Sequence, residues 1–408
     1  MRIRTPLALL VVAIPNLLAC GSEEPAPTPA TEGLLAPPPT GQGVQFAMNT
    51  RMDPGTEGEH CLFVQAPPEG LFVNRDEVRF NAGSHHVLLY ETAYTTIPTT
   101  RDDGSTFEQD ENGVFDCSDG ATDGFSVTKL IAGSQNADGD AFLRFPEGVA
   151  MPVTPGRVLL INAHYINASS EILEPQVRIN LHTIPEEEVT TEGDILFWYN
   201  IFIKVDAQSQ SRARMRCMLH SDITLMNVQS HMHRRGTGYS AEAVGSEPFY
   251  TNDAWENVPV KNFEGGMELA AGTWVDYQCD YTNTGSTDVV QGARSTDEMC
   301  MLIGAYYPAD QATSRCVPDP EKPDVAGNLG AEWVGNGQAT CAETFTCIQQ
   351  GLGGGGGEGD VLGGIATCIN AADPAVSKEM SDALRCLLQN FQDAPSVCQI
   401  EFDACNAK

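Results

Sequence analysis

The chain has 408 residues, with 23 Lys+Arg against 55 Asp+Glu and a formal net charge of -32 at pH 7. A surface that acidic repels phosphate backbones and anionic lipid, which excludes nucleic acid as an expected partner and leaves only a covalent anchor as a route to a membrane. A hydrophobic content of 41% excludes a wholly disordered chain, and the length accommodates two or three domains.

Residues 1–20 read as a targeting segment. Arg2 and Arg4 precede an apolar stretch, Leu7 to Ile14, that is too short to span a bilayer as a helix. Leu17-Leu18-Ala19-Cys20 looks like a bacterial lipobox, which implies cleavage before Cys20 and lipidation of its sulfur. The expected location is then the bacterial cell envelope, lipid-anchored at the outer membrane or cell surface. An ordinary signal peptide with a chance cysteine is the alternative. Residues 21–42, rich in Pro, Ala, Thr and Gly, cannot bury a core and read as a flexible linker. Setting Cys20 aside leaves twelve cysteines, an even number, and export places them in an oxidising compartment, so six disulfides are expected.

Residues 43–325 read as β structure. Short apolar runs such as Val158-Leu159-Leu160-Ile161 and Ile195-Leu196-Phe197-Trp198-Tyr199 alternate with turn clusters such as Asp102-Asp103-Gly104-Ser105 and Ala137-Asp138-Gly139-Asp140. Many short strands with frequent turn signals point to sandwiches or jelly rolls. The length divides into two such domains, 43–185 and 186–325. Residues 330–408 hold six of the cysteines. A glycine run, Gly353 to Gly357, interrupts them, and Ala375 to Phe391 has helical spacing in Met380, Leu384, Leu387, Leu388 and Phe391. This predicts a small disulfide-rich helical module with a role in interaction or spacing.

The chemistry lies in the histidines, five of which fall in three motifs. In Gly83-Ser84-His85-His86 two neighbouring imidazoles can meet one metal only at a strand end or bulge, because successive strand residues point to opposite faces. Alone, such a pair is more often one buried and one exposed histidine. In Asn162-Ala163-His164-Tyr165 a single histidine at the end of an apolar strand is, by itself, more often a core residue than a ligand. In His231-Met232-His233 period 2 sets both rings on one face, which suits two imidazoles on one metal. Downstream, Asp297-Glu298-Met299-Cys300 offers a thioether, a soft ligand that favours Cu(I), in a run where methionine is usually core. His60, His182 and His220 lie outside the motifs and read as ordinary histidines.

Taken together, this order of motifs resembles the copper type II ascorbate-dependent monooxygenases, the peptidylglycine α-hydroxylating and dopamine β-hydroxylating enzymes. Phe46 to Met52, which looks like the family's first domain strand, and Tyr306-Tyr307-Pro308 add to a likeness that covers roughly residues 43–325. The resemblance implies an all-β pair of tandem jelly-roll domains with two coppers per chain, facing each other across an open cleft. His85, His86 and His164 would hold the electron-storing copper. His231, His233 and Met299 would hold the copper that handles O2 and the substrate C–H, with ascorbate as reductant. It also implies disulfides Cys61–Cys117, Cys217–Cys316 and Cys279–Cys300. The sequence departs from the peptide-amidating enzymes at Gln229, Met301 and Ile303, where they carry Arg, Asn and Tyr, so a glycine-extended peptide is not the expected substrate. The acidic composition would suit a cationic small molecule such as an amine. The expected protein is a monomeric monooxygenase acting on a small organic substrate. The alternatives are a non-catalytic copper-binding lipoprotein on the same scaffold, or an interaction scaffold with vestigial metal sites.

Overall fold

The computed structural model describes residues 34–408 apart from 82, 119, 121, 123, 138–141, 323–326, 353–357, 391 and 392. The expected signal peptide, Cys20, most of the linker, the Asp138-Gly139-Asp140 turn, the glycine run and Phe391 therefore lie outside the described residues.

Alternation along the strands explains the first pair of sheets. Leu71–Phe80 and Glu57–Gln65 bury every second side chain along most of their length, as strands with one face on a core do. One five-stranded sheet runs in the order Gly43–Asn49, Gln176–Thr183, Leu71–Phe80, Val149–Val153, Thr191–Glu192. The other runs Val114–Asp116, Glu57–Gln65, Val158–Ile166, Ser84–Thr92, Val127–Ser134. Neighbours in these sheets are rarely consecutive in sequence, so the chain crosses repeatedly from sheet to sheet. Asp76 fastens the crossing by accepting hydrogen bonds from the backbone N–H groups of Gly133, Phe142 and Leu143.

Val158–Ile166 breaks the alternation: eight of its nine residues are buried. A strand buried on both faces needs a second layer, and residues 194–307 supply it. Their four-stranded sheet, in the order Asp194–Tyr199, Cys300–Tyr307, Ile223–Met232, Lys261–Leu269, contributes Ile195, Met299, Met301, Ile303 and Ala305 to the core of the first sheet pair. Its opposite face, with Trp198, Leu225, Val228 and Leu302, packs on a five-stranded sheet of Tyr250–Asn252, Gly236–Ala243, Trp274–Asn283, Ser209–Met218 and Glu332–Trp333.

The C-terminal segment is mainly helical, as expected: Cys341–Leu352, Glu358–Ala371, Ser377–Gln389, Ala394–Val397 and Gln399–Asn406. The helix expected from Ala375 is preceded by a 3-10 turn over Pro374–Val376, with Asp373 accepting from Ala375 N–H. Met380, Leu384 and Leu387 are buried, while Leu388 faces outward. The helices share one continuous core with the second sheet pair, and Glu332–Trp333 joins the sheet through Met215 and Arg216. Cys61–Cys117, Cys217–Cys316 and Cys279–Cys300 are bonded, and the C-terminal six pair among themselves as Cys341–Cys405, Cys347–Cys368 and Cys386–Cys398.

Candidate metal centre

The first histidine set sits on two adjacent strands. His86 is the direct cross-strand partner of His164, and the register shifts between Ser84 and His86. That irregularity makes His85 the extra residue of a bulge and brings both neighbouring rings to one side. Gly83, at φ 96°, starts the turn into it. The ring centroids of His85, His86 and His164 lie 5.2–5.6 Å apart, and one nitrogen from each falls within 4.8 Å of the others. His164 Nε2 is held by Glu57 Oε1 at 3.0 Å, and the same oxygen accepts from Ser295 N–H at 2.7 Å. The hydrogen bond from His164, followed by those from Ser295, holds the Glu57 carboxyl down at about 2 despite partial burial.

His231 and His233 stand on one face at the end of Ile223–Met232 and just beyond it, as period 2 predicts. Each has its Nδ1 engaged. His231 Nδ1 meets Gln135 Oε1 at 2.7 Å, and His233 Nδ1 meets the Asp297 carbonyl at 3.2 Å. Gln135 is fixed in turn, its Nε2 donating to Gln229 Oε1 and to the Ser230 carbonyl. Met301 pairs with His231 across the strands, so alternation puts Met299 on the same face. Met299 is buried, and it lines one cavity with His86 and His231. Next to it Glu298 accepts from the N–H groups of His233 and Arg235, and burial pushes its carboxyl up to about 7.

The donors fit a metal that wants neutral imidazole. Both ring nitrogens of His85 and His86, Nδ1 of His164 and Nε2 of His233 are buried with no hydrogen-bond partner. A buried polar atom left without a partner is costly unless something else meets it. Burial, reinforced by neighbouring imidazoles, lowers His85 to about 4 and His233 to about 3, and drives His86 and His231 well below the ordinary histidine range. Rings held neutral with free lone pairs are ligands ready to bind. Bracing of the opposite nitrogen, on His164 by a carboxylate and on His233 by a carbonyl, is the usual support for metal-bound histidine.

The expected open cleft between the two sets is absent. The rings of His86 and His231 are 5.2 Å apart, and those of His164 and His233 6.5 Å, so five imidazoles form one contiguous cluster. Contacts across the two sheet pairs hold it closed. Trp255 stacks on His85 at 5.2 Å, Asn136 Nδ2 donates to the Val258 carbonyl, and Glu57 reaches Ser295. These bracing residues escaped the sequence. Glu57 and Glu59 sit in an ordinary alternating strand, and nothing local marks Gln135 or Trp255 as neighbours of histidines about a hundred residues or more away. Only the pairing of Glu59 with His164 across the strands exposes the first two. The remaining histidines have modest duties: His60 bonds Thr50, His182 lies beside Glu77, and His220 bonds the Val317 carbonyl.

A cavity of about 630 Å³ adjoins the cluster, within the usual range for small-molecule sites. Leu88, Tyr90 and Leu130 form one wall, and Ile195, Phe197, Met301 and Ile303 the opposite wall.

Fold and site together define a two-part β protein with a cluster of five imidazoles, three of which could hold a metal ion, beside a cavity. Residues 203–323 match the model of the copper type II ascorbate-dependent monooxygenase, C-terminal domain, which supports a likeness to that family over this stretch. The matched stretch contains His231, His233, Met299 and four of the bonded cysteines. No curated protein matches the chain. Among solved structures, an infectious bursal disease virus structure shows 7% identity, covering 67% of this chain and 74% of that chain at a TM-score of 0.17. A tail fibre protein from an E. coli phage shows 10% identity, covering 64% of this chain and 35% of that chain at a TM-score of 0.12. Scores that low carry no argument about fold or function.

Proposed function

We propose that the protein is a copper-dependent monooxygenase that hydroxylates an aliphatic C–H of a small organic substrate, using O2 and a reductant such as ascorbate. The observation that carries this reading is the cluster of five imidazoles, four of them with ring nitrogens left without a partner, beside a largely apolar cavity that His86, His231 and Met299 line. His85, His86 and His164 would hold one copper, and His231, His233 and Met299 a second. Copper there would supply one-electron transfer and oxygen activation. The chain's own part is to keep the rings deprotonated by burial, to fix His164 through Glu57 and His231 through Gln135, and to seat the substrate against Met299. Overall, one oxygen atom enters the C–H bond and the other leaves as water, with the electrons drawn from the reductant and protons from solvent. Each sheet pair would be a jelly roll, and the protein would work as a monomer tethered by Cys20 to the bacterial envelope. Among the described residues no helix is long and apolar enough to cross a membrane.

The test is oxygen uptake by copper-loaded protein with ascorbate, screened against a panel of small metabolites. Substrate-dependent uptake coupled to a hydroxylated product is the expected result. Stable copper binding with no substrate-dependent uptake across the panel would leave a copper-binding lipoprotein instead.

A further inference from the structure

The C-terminal helices are not confined to the outside of the molecule. Leu362, on the helix Glu358–Ala371, lines the same cavity as His86, His231 and Met299. Neither sheet pair supplies this wall. The helix is seated closely: a Cβ on Gly363 would fall 2.6 Å from Val290 Cγ1, so only glycine lets the helix approach the Val289–Val290 strand this far. Val290 then leads directly into Gln291, Gly292 and Ala293, which line the cavity as well, and its carbonyl accepts from Glu298 N–H, one residue before Met299. The helix is locked by Cys347–Cys368 to its neighbour and shares the core of the second sheet pair. It is a fixed wall, joined by one strand to the ligand-bearing segment.

The cavity's chemistry indicates what this wall meets. Most of its large side chains are aliphatic or aromatic, and its charged and amide groups, Asp194, Asn328 and Arg315 among them, have partners within the protein. Lys129 donates to the Pro152 carbonyl, Glu59 accepts from Asn162 at 2.7 Å, Gln291 donates to the Tyr199 hydroxyl, and Gln135 is held by His231, Gln229 and Ser230. A charged ligand would have to take one of these groups from its partner or be desolvated without compensation. An uncharged apolar ligand loses nothing of the kind.

We propose that the cavity takes an uncharged, apolar, elongated substrate and that Leu362 of the C-terminal helical module sets how long a molecule it admits. The proposal rests on the monooxygenase reading only in calling the ligand a substrate. Its test is a binding measurement, made on the full chain with and without copper. A neutral fluorophore, phenyl-naphthylamine, reports occupancy, and primary alcohols from butanol to dodecanol compete for it. Leu362→Trp takes volume from the cavity, so the longer alcohols should lose about tenfold in affinity while butanol is unchanged, since steric mismatch of a few methylenes is worth that much. Leu362→Ala should shift the preferred chain length upward, and it keeps the test alive should the tryptophan variant fail to fold. Leu388→Trp, on the outward face of Ser377–Gln389, should leave the series as it is. An unchanged length series in both Leu362 variants, or no binding of the fluorophore by the unmodified chain, overturns the proposal. So does better competition by alkyl carboxylates or alkylammonium ions than by alcohols. Oxygen uptake is read separately: a shifted length series without turnover sinks the monooxygenase reading alone, and turnover with an unshifted series sinks only this one.

Discussion

The two ligand sets are built by opposite means. The first takes its geometry from the backbone: a bulge at His85 and the direct pairing of His86 with His164 bring three rings together, and of these only His164 has a ring nitrogen hydrogen-bonded to a side chain. The second takes its positions from simple strand alternation, and both rings are braced at Nδ1, by Gln135 and by the Asp297 carbonyl. In one set the main chain does the aiming and leaves the imidazoles adaptable. In the other the rings are oriented in advance and only Nε2 remains to bind. The second arrangement suits a centre that must hold one geometry while a substrate lies beside it, and the first one that only gains and loses an electron.

The sharpest way to break this comparison is to remove a ring from each set. His233→Ala should lower bound copper by about one per chain, and His164→Ala should do the same at the other set, because each removes an imidazole, the kind of ligand that carries most of the affinity for the oxidised ion. Metal analysis of the purified variants checks both. Loss of all copper from either single variant would mean that the five contiguous imidazoles act as one centre, and the distinction between the sets would disappear.

Met299→Ile should affect function more than content. The swap nearly conserves volume, so it should cost less than about 1.5 kcal/mol of stability and leave oxidised copper on the two imidazoles. The thioether that favours the reduced ion is gone, so turnover should collapse. Infrared spectroscopy of carbon monoxide on the reduced protein reads the site directly. An unshifted band at full intensity would show that Met299 is only a core side chain beside the Cys279–Cys300 bridge.

Acid should act on both sets through the same physics. His85 and His233 are held by burial at about 4 and about 3, against an ordinary value of 6.5. Between pH 6.5 and 4 the unfolded chain therefore binds protons that the folded chain refuses. Stability in the copper-free protein is fully present above pH 6.5 and is lost as pH falls, by about 1.4 kcal/mol per pH unit for each such histidine. Denaturant midpoints across that range check the slope. His85→Asn should flatten it, and an equal slope in that variant would contradict the assignment.

Much of the proposed site was legible in the sequence because its histidines obey local rules. His231 and His233 follow from period 2, the His85–His86 pair demanded a bulge next to Gly83, and the bulge is there. The disulfides were open to the same reading, since cysteine count and family resemblance bear on them without any three-dimensional knowledge. What the sequence hid was everything that depends on packing one sheet pair against the other. Glu57, Gln135 and Trp255 touch histidines far away in the chain, and no periodicity encodes such a contact. The contiguity of the two sets was hidden for the same reason, as was the entry of Leu362 into the cavity: a helix of the module expected to serve interaction or spacing lines it, because glycine at 363 lets that helix approach the Val289–Val290 strand.

The smallest expected effect is the most discriminating. Glu57→Gln keeps the size of the side chain and an oxygen able to accept from Ser295 N–H, but removes the charge that opposes His164 Nε2. An amide accepts from an imidazole N–H more weakly than a carboxylate does, so the ring's basicity and orientation both suffer, and outer-shell losses of this kind typically cost about tenfold in metal affinity. The loss should fall on the His85–His86–His164 set. Competition for copper with a chelator, carried out in His233→Ala so that only the first set is loaded, reads it directly. The same measurement in His164→Ala, where only the second set remains, should show no change if Glu57 serves the first set alone. A comparable loss there would mean that its contact with Ser295 carries the effect along the segment to Met299. Backbone-built and brace-built sets would then be mechanically coupled through one carboxylate, and their separate designs would matter less than the contact that joins them.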